Sequence, residues 1–168
     1  MRNGFVKVAA VSPRVKVAEV EFNISRIKQE LDACLEKGAD IVVFPELSLT
    51  GYSCGDLFYQ DVLLAKAKEA LIELADYTLD KDGLVFVGLP FELEGKLYNV
   101  AAAISDGEVL GIVPKQHIPT YGWANEGRYF ASGMSEVEDV VLEGATVVPF
   151  VANQIFTCNS VEGLAVAC

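Results

Sequence analysis

The sequence predicts an α/β fold on a mixed sheet. Two stretches carry helical periodicity, several short apolar runs read as strands, and the early segments alternate strand and helix while the later ones are joined as hairpins. Residues 5–11 alternate and read as the first strand. Asn23 is expected to open a helix that runs to about Lys37, because Ile24, Ile27, Leu31, Cys34 and Leu35 recur at three- and four-residue steps, with Gly38 as its stop. Residues 40–44 form a short run with no polar face, as in a strand covered on both sides. A second helix begins at Asp61, with Leu64, Ala67, Lys68, Leu71 and Ala75 in register. Strands follow at 84–89 and 97–104; Asp106-Gly107 is a hairpin turn, and 108–113 is the returning strand. Residues 119–138 read as an irregular loop, and 146–150, 154–158 and 164–168 as further short strands.

Composition narrows the function. Of 168 residues, 52% are hydrophobic and 22% charged, enough apolar material for a sizeable core in one domain. A net charge of −11 argues against nucleic acid as a partner, since that surface needs clustered Lys and Arg. The sequence has no apolar run long enough for a membrane span, and its first residues read as a buried strand and not a signal peptide, so a cytoplasmic protein is expected. Four cysteines without a CxxC pair and a single histidine give no zinc pattern; the cysteines are expected to be reduced thiols, and no metal site is expected.

Three segments carry possible chemistry. In Phe44-Pro45-Glu46, a carboxylate follows an apolar strand, where α/β proteins place their sites. Packing around the strand is expected to desolvate Glu46 and suit it to general-base work; a loop acid facing water is the plainer reading. In Val113-Pro114-Lys115-Gln116-His117-Ile118-Pro119, a lysine again follows a strand and a proline; beside a glutamate it would stay charged and stabilise an oxyanion. His117 is weighed as a loop residue that shapes the site. In Glu126-Gly127-Arg128-Tyr129-Phe130, acid and arginine two apart suggest a structural ion pair. No GxGxxG, Walker A or GxSxG pattern occurs.

Together these segments resemble the carbon–nitrogen hydrolases of the nitrilase type. Phe44-Pro45-Glu46 matches the family's F-P-E element, Lys115 to Pro119 its K-x-x-L/I-P element 69 residues later, and Glu126 to Phe130 its E-x-R-x-F element. The stretch L-S-L-T-G-Y followed by S-C-G-D-L-F, residues 47–58, is similar to glutaminase domains of glutamine-dependent NAD synthetases. The resemblance implies an αββα sandwich with mixed sheets and hydrolysis of L-glutamine to glutamate and ammonia. It further implies Glu46 and Lys115 as active-site residues, Glu126 to hold Lys115 and orient the amide, and Tyr52 and Tyr121 in the glutamine pocket. No cofactor is implied for this part; a separate C-terminal synthetase domain, absent from these residues, would use ATP, magnesium and deamido-NAD. Homo-oligomers are common in the family.

The family's nucleophile is a cysteine at a strand end, in an E-I-C-E-D context in the NAD synthetases. Cys168 is either that residue or the earlier part of the same strand, with the nucleophile three residues further on. The ungapped match from residue 148 to 164 favours the second register, so residues 1–168 are expected to be the N-terminal part of one such domain, incomplete at its C-terminus and inactive alone. Residues 164–168 would then be an interior strand with exposed apolar surface, and self-association is expected. The alternatives are a stand-alone nitrilase or ω-amidase on another small amide, and a non-catalytic nitrilase-like assembly module.

Overall fold

In a computed structural model of the chain, residues 5–122, 124–142, 146–158 and 164–168 are described. The strands are β1 (Val8–Ala10), β2 (Ile41–Val43), β3 (Leu84–Leu93), β4 (Lys96–Ser105), β5 (Glu108–Pro114), β6 (Glu138–Val141), β7 (Val147–Phe150), β8 (Ile155–Thr157) and β9 (Ala165–Ala167). The helices are α1 (Val20–Glu36) and α2 (Asp61–Tyr77). Seven strands form one sheet in the order β1-β2-β3-β4-β5-β7-β6. β1, β2 and β3 are parallel, β3-β4-β5 is an antiparallel meander, β7 runs parallel to β5, and β6 is antiparallel to β7. The mixed sheet follows from the linkers: α1 and α2 each carry the chain back for a parallel pairing, whereas two-residue turns can only join antiparallel neighbours. Asp106 and Gly107 take positive φ in the β4–β5 turn, as their types allow.

Both helices cover the same face of the sheet. Ile24, Ile27 and Leu31 of α1 and Leu63, Ala67, Leu71 and Leu74 of α2 are buried. Most of them pack into one core with Val42 of β2, Val85, Val87 and Leu89 of β3, Val100, Ala102 and Ile104 of β4, and Phe150 of β7. On the opposite face, β8 and β9 form a separate antiparallel ribbon whose Phe156 and Val166 pack on Ile41, Phe86 and Ala103. The described residues thus supply a helix layer, the seven-stranded sheet and a strand layer of the expected sandwich.

The structure corrects several sequence expectations. β3 runs on to Leu93, and β6 begins at Glu138, the last residue of the segment read as loop, its Val140–Val148 pairing hidden beside the charged Glu136, Glu138 and Asp139. α1 starts three residues early, at Val20. Asn23 is not its cap; fully buried, it accepts from Lys16 N and donates to the carbonyls of Lys16 and Leu49. The strand expected in the sheet interior at 164–168 lies instead in the ribbon, where Ala165 and Ala167 are exposed.

Candidate functional site

The residues singled out at the strand ends meet, although their strands are not neighbours: β3 and β4 lie between β2 and β5. Three inter-strand spacings, about 14 Å, are bridged by two devices. The first is the loop after β2. Its backbone passes so close to Gly88 of β3 that a Cβ there would lie 2.5 Å from Leu47 N and Pro45 O. Gly88 O accepts from Leu49 N at 3.1 Å, and the far side of the loop is held by Asn23 Nδ2 on Leu49 O and by Ala18 N on Thr50 O. Clamped on both sides, the loop carries Glu46 over β3. The second device is the length of the lysine side chain, which reaches back over β4 from the end of β5.

The result is a compact charged cluster. Lys115 Nζ donates to Glu46 Oε1 and Oε2, both at 3.0 Å, and to Glu126 Oε1 and Oε2, both at 3.1 Å. Tyr52 OH donates to Glu126 Oε1 at 2.6 Å. Asn99 of β4 donates through Nδ2 to Glu46 Oε2 at 3.1 Å and Glu126 Oε2 at 3.4 Å. Burial is uneven: the side chains of Glu126, Lys115 and Glu46 are 6%, 25% and 52% exposed. The expected desolvation of Glu46 is therefore corrected; the buried carboxylate is Glu126, on a short turn (Glu126–Arg128) packed against the strand ends. For Lys115 burial opposes the charged form, but hydrogen bonds and charge from both glutamates outweigh it and hold its pKa above the usual lysine value. Burial, then the bond to Glu126, pushes the Tyr52 phenol up to about 12.

Other expectations fare differently. Arg128 pairs with Asp56 at 2.9 Å, not with Glu126, whose carboxylate is committed to Lys115. Tyr121 is 79% exposed and outside the cluster, and His117 is exposed. Cys54 is buried with its thiol donating to Thr50 O and Gly51 O. Cys168 is exposed on the ribbon, yet the surroundings of its sulfur desolvate it and raise its thiol pKa. Its backbone pairs with Gln154, whose amide reaches Ile112 O at 2.7 Å, three residues before Lys115. Asn99 was missed. Its signal was a lone amide inside the otherwise apolar run 97–104.

A helix-backed mixed sheet with a strand ribbon on its other face and a glutamate–lysine–glutamate cluster at its strand ends defines a nitrilase-like α/β protein. The chain belongs to the carbon-nitrogen hydrolase family, whose model matches residues 7–157. It is 35% identical over 162 residues to the glutamine-dependent NAD(+) synthetase of Mycobacterium tuberculosis, a match covering 96% of this chain and 24% of that protein. To the enzyme of the same name from Aquifex aeolicus it is 42% identical over 117 residues, 70% of this chain and 20% of that protein. The chain thus spans about a quarter of the length of the relatives it matches. A solved glutamine-dependent NAD(+) synthetase from Cytophaga hutchinsonii superimposes with a TM-score of 0.85 at 24% identity, over 92% of this chain and 26% of that one. An amidase from Nesterenkonia sp. does so at 0.66 and 22% identity, over 83% and 52%. Both show the same fold. Among the described residues, no helix is long and apolar enough to cross a membrane.

Proposed function

We propose that these residues form the acid–base half of a glutaminase site, hydrolysing L-glutamine to glutamate and ammonia for a C-terminal synthetase domain that makes NAD from deamido-NAD with ATP and magnesium, in the cytoplasm. The observation that carries the reading is the bridge of Lys115 between Glu46 and Glu126. Amide hydrolysis through a thiol needs a base, a donor for the tetrahedral oxyanion and a nucleophile. Glu46 is open to solvent on one side, so a thiol or water can approach its carboxylate while Lys115 fixes its orientation. Glu46 takes the thiol proton as sulfur attacks the amide carbon, returns it to the departing ammonia, and then takes a proton from the water that cleaves the thioester. The Lys115 ammonium has three hydrogens shared among four oxygens, so one is released to an oxyanion at little cost while Glu126 keeps the side chain in place. Tyr52 holds Glu126 from behind, and Tyr121, exposed outside the cluster, lines the glutamine pocket with it. The thiol is not Cys168 but a cysteine of the longer polypeptide.

The test is glutamate release from L-glutamine by the full-length gene product. Glu46→Gln should abolish it while leaving ammonium-supported NAD formation intact, and Cys168→Ala should leave both intact. Turnover that survives Glu46→Gln refutes the base assignment; turnover lost in Cys168→Ala makes Cys168 the nucleophile. Hydrolysis of other small amides but not glutamine would identify a stand-alone amidase instead, and no hydrolysis of any amide an assembly module.

A further inference from the structure

We propose that Asn99 is the positioning residue of this site: its neutral amide spans the two carboxylates, orients Glu46 as a base and keeps it apart from Glu126. The inference rests on the glutaminase reading above. Its ground is the geometry around β4. Asn99 is 2% exposed on the second strand of the β3-β4-β5 meander, opposite Pro90 of β3, and its carbonyl accepts the Lys115 backbone N–H at 2.8 Å. It is the member of the cluster built into the middle of the sheet; Glu46 and Tyr52 stand on the clamped loop, Lys115 just past a strand end and Glu126 on a turn. Its side chain therefore has a fixed frame from which to set theirs.

Charge explains why an amide serves there. Two carboxylates against one ammonium leave the cluster with an excess negative charge. A second donor is needed between Glu46 Oε2 and Glu126 Oε2, and Nδ2 reaches both, at 3.1 and 3.4 Å. The opposite amide orientation would set an acceptor against two acceptors, so the network fixes which end faces the carboxylates. A second cationic donor beside Lys115 would hold Glu46 more firmly and weaken it further as a proton acceptor; a neutral amide orients it with a smaller loss. The groups facing the amide are Glu46, Glu126 and Lys115, with Tyr52 one bond further on Glu126.

The experiment is steady-state glutamine hydrolysis by the full-length protein carrying Asn99→Leu or Asn99→Asp, with Glu46→Gln alongside and melting curves for each. Asn99→Leu should lower kcat about 10- to 100-fold with KM changed less than threefold. The acid limb of its kcat/KM profile should move to higher pH, because a carboxylate that loses a donor is more readily protonated. In Asn99→Asp the new carboxyl donates only when protonated, so activity should rise as pH falls, opposite to the wild type. Should Asn99→Leu fail to fold, Asn99→Asp decides alone. A folded Asn99→Leu with wild-type kcat and acid limb, or Asn99→Asp with the wild-type profile, overturns the positioning role while an inactive Glu46→Gln still upholds the glutaminase reading. An active Glu46→Gln overturns both.

Discussion

Replacing Gly88 by alanine probes how the site is assembled without touching any group in it. The new Cβ would stand 2.5 Å from Leu47 N and Pro45 O and 2.8 Å from the Glu46 carbonyl carbon. Contact at roughly 3.5 Å is the closest comfortable approach, so the loop has to withdraw by about 1 Å. All three neighbours are backbone, so no side chain can swing aside. Overpacking of this kind costs about 1–3 kcal/mol, and the withdrawal stretches the 3.1 Å bond from Leu49 N to Gly88 O. Glu46 moves with the loop, so its 3.0 Å contacts to Lys115 lengthen toward 4 Å. A displacement of about 1 Å at a catalytic group can lower turnover by ~10²-fold. Urea unfolding and glutamate release by the full-length protein measure the two effects. Gly95→Ala is the control: it lies in the β3–β4 turn with φ +72 and nothing within 4 Å, so it destabilises through backbone strain alone, by about 1–2 kcal/mol, and spares turnover. Gly88→Ala with both unfolding midpoint and turnover unchanged would refute the account, as would a Gly95→Ala variant equally impaired in turnover.

Two further outcomes follow from the cluster. Lys115→Met leaves the Glu126 carboxylate buried without a cation and should destabilise the fold by about 2–3 kcal/mol, below the usual cost of breaking a buried pair because Lys115 and Glu46 are partly solvated; adding Glu126→Gln should recover more than half of it, and strict additivity in the double-mutant cycle would contradict the pairing. For Tyr52, the folded pKa of about 12 lies above the ordinary 10.0. Its contribution to stability is therefore complete below pH 10 and fades as pH rises to 12, so the gap between wild type and Tyr52→Phe should be constant up to pH 10 and close above it. A gap already closing between pH 7 and 9 would argue against the Tyr52–Glu126 bond.

The strand ends were legible because each carries an abrupt change of type: Phe44-Pro45-Glu46 and Val113-Pro114-Lys115 both pass from apolar residues through proline to a charge. The helices were legible through their periodic faces, except for the start of α1, where Asn23 has the side chain of a cap but serves as a buried tie to Leu49 O. What stayed hidden was lateral position. Nothing in residues 40–52 says that β2 lies three strands from β5, so the crossing over Gly88 and the amide of Asn99 beneath the lysine were invisible, as was the pairing of Arg128 with Asp56 across 72 positions. Burial was misjudged for the same reason. Glu46 adjoins a covered strand but rides an outer loop, while Glu126, in a polar stretch, is packed under it.

The meander that holds Asn99 and Lys115 also sets the order in which the cluster can appear. β3, β4 and β5 are joined by two-residue turns, so their contacts are near in sequence and close quickly, whereas β2 must find β3 after the whole of α2 has been laid down. The amide and the lysine are then arranged while the chain is still collapsing, and Glu46 arrives only when parallel pairing of β2 brings its loop onto β3. During that interval Lys115 stands with Glu126 or with solvent alone. The acid–base pair is thus a late marker of folding: a pulse-labelled refolding experiment should find the amides of β4 and β5 protected before that of Leu49, and a nascent chain reaching the end of β5 would already contain the scaffold onto which Glu46 docks.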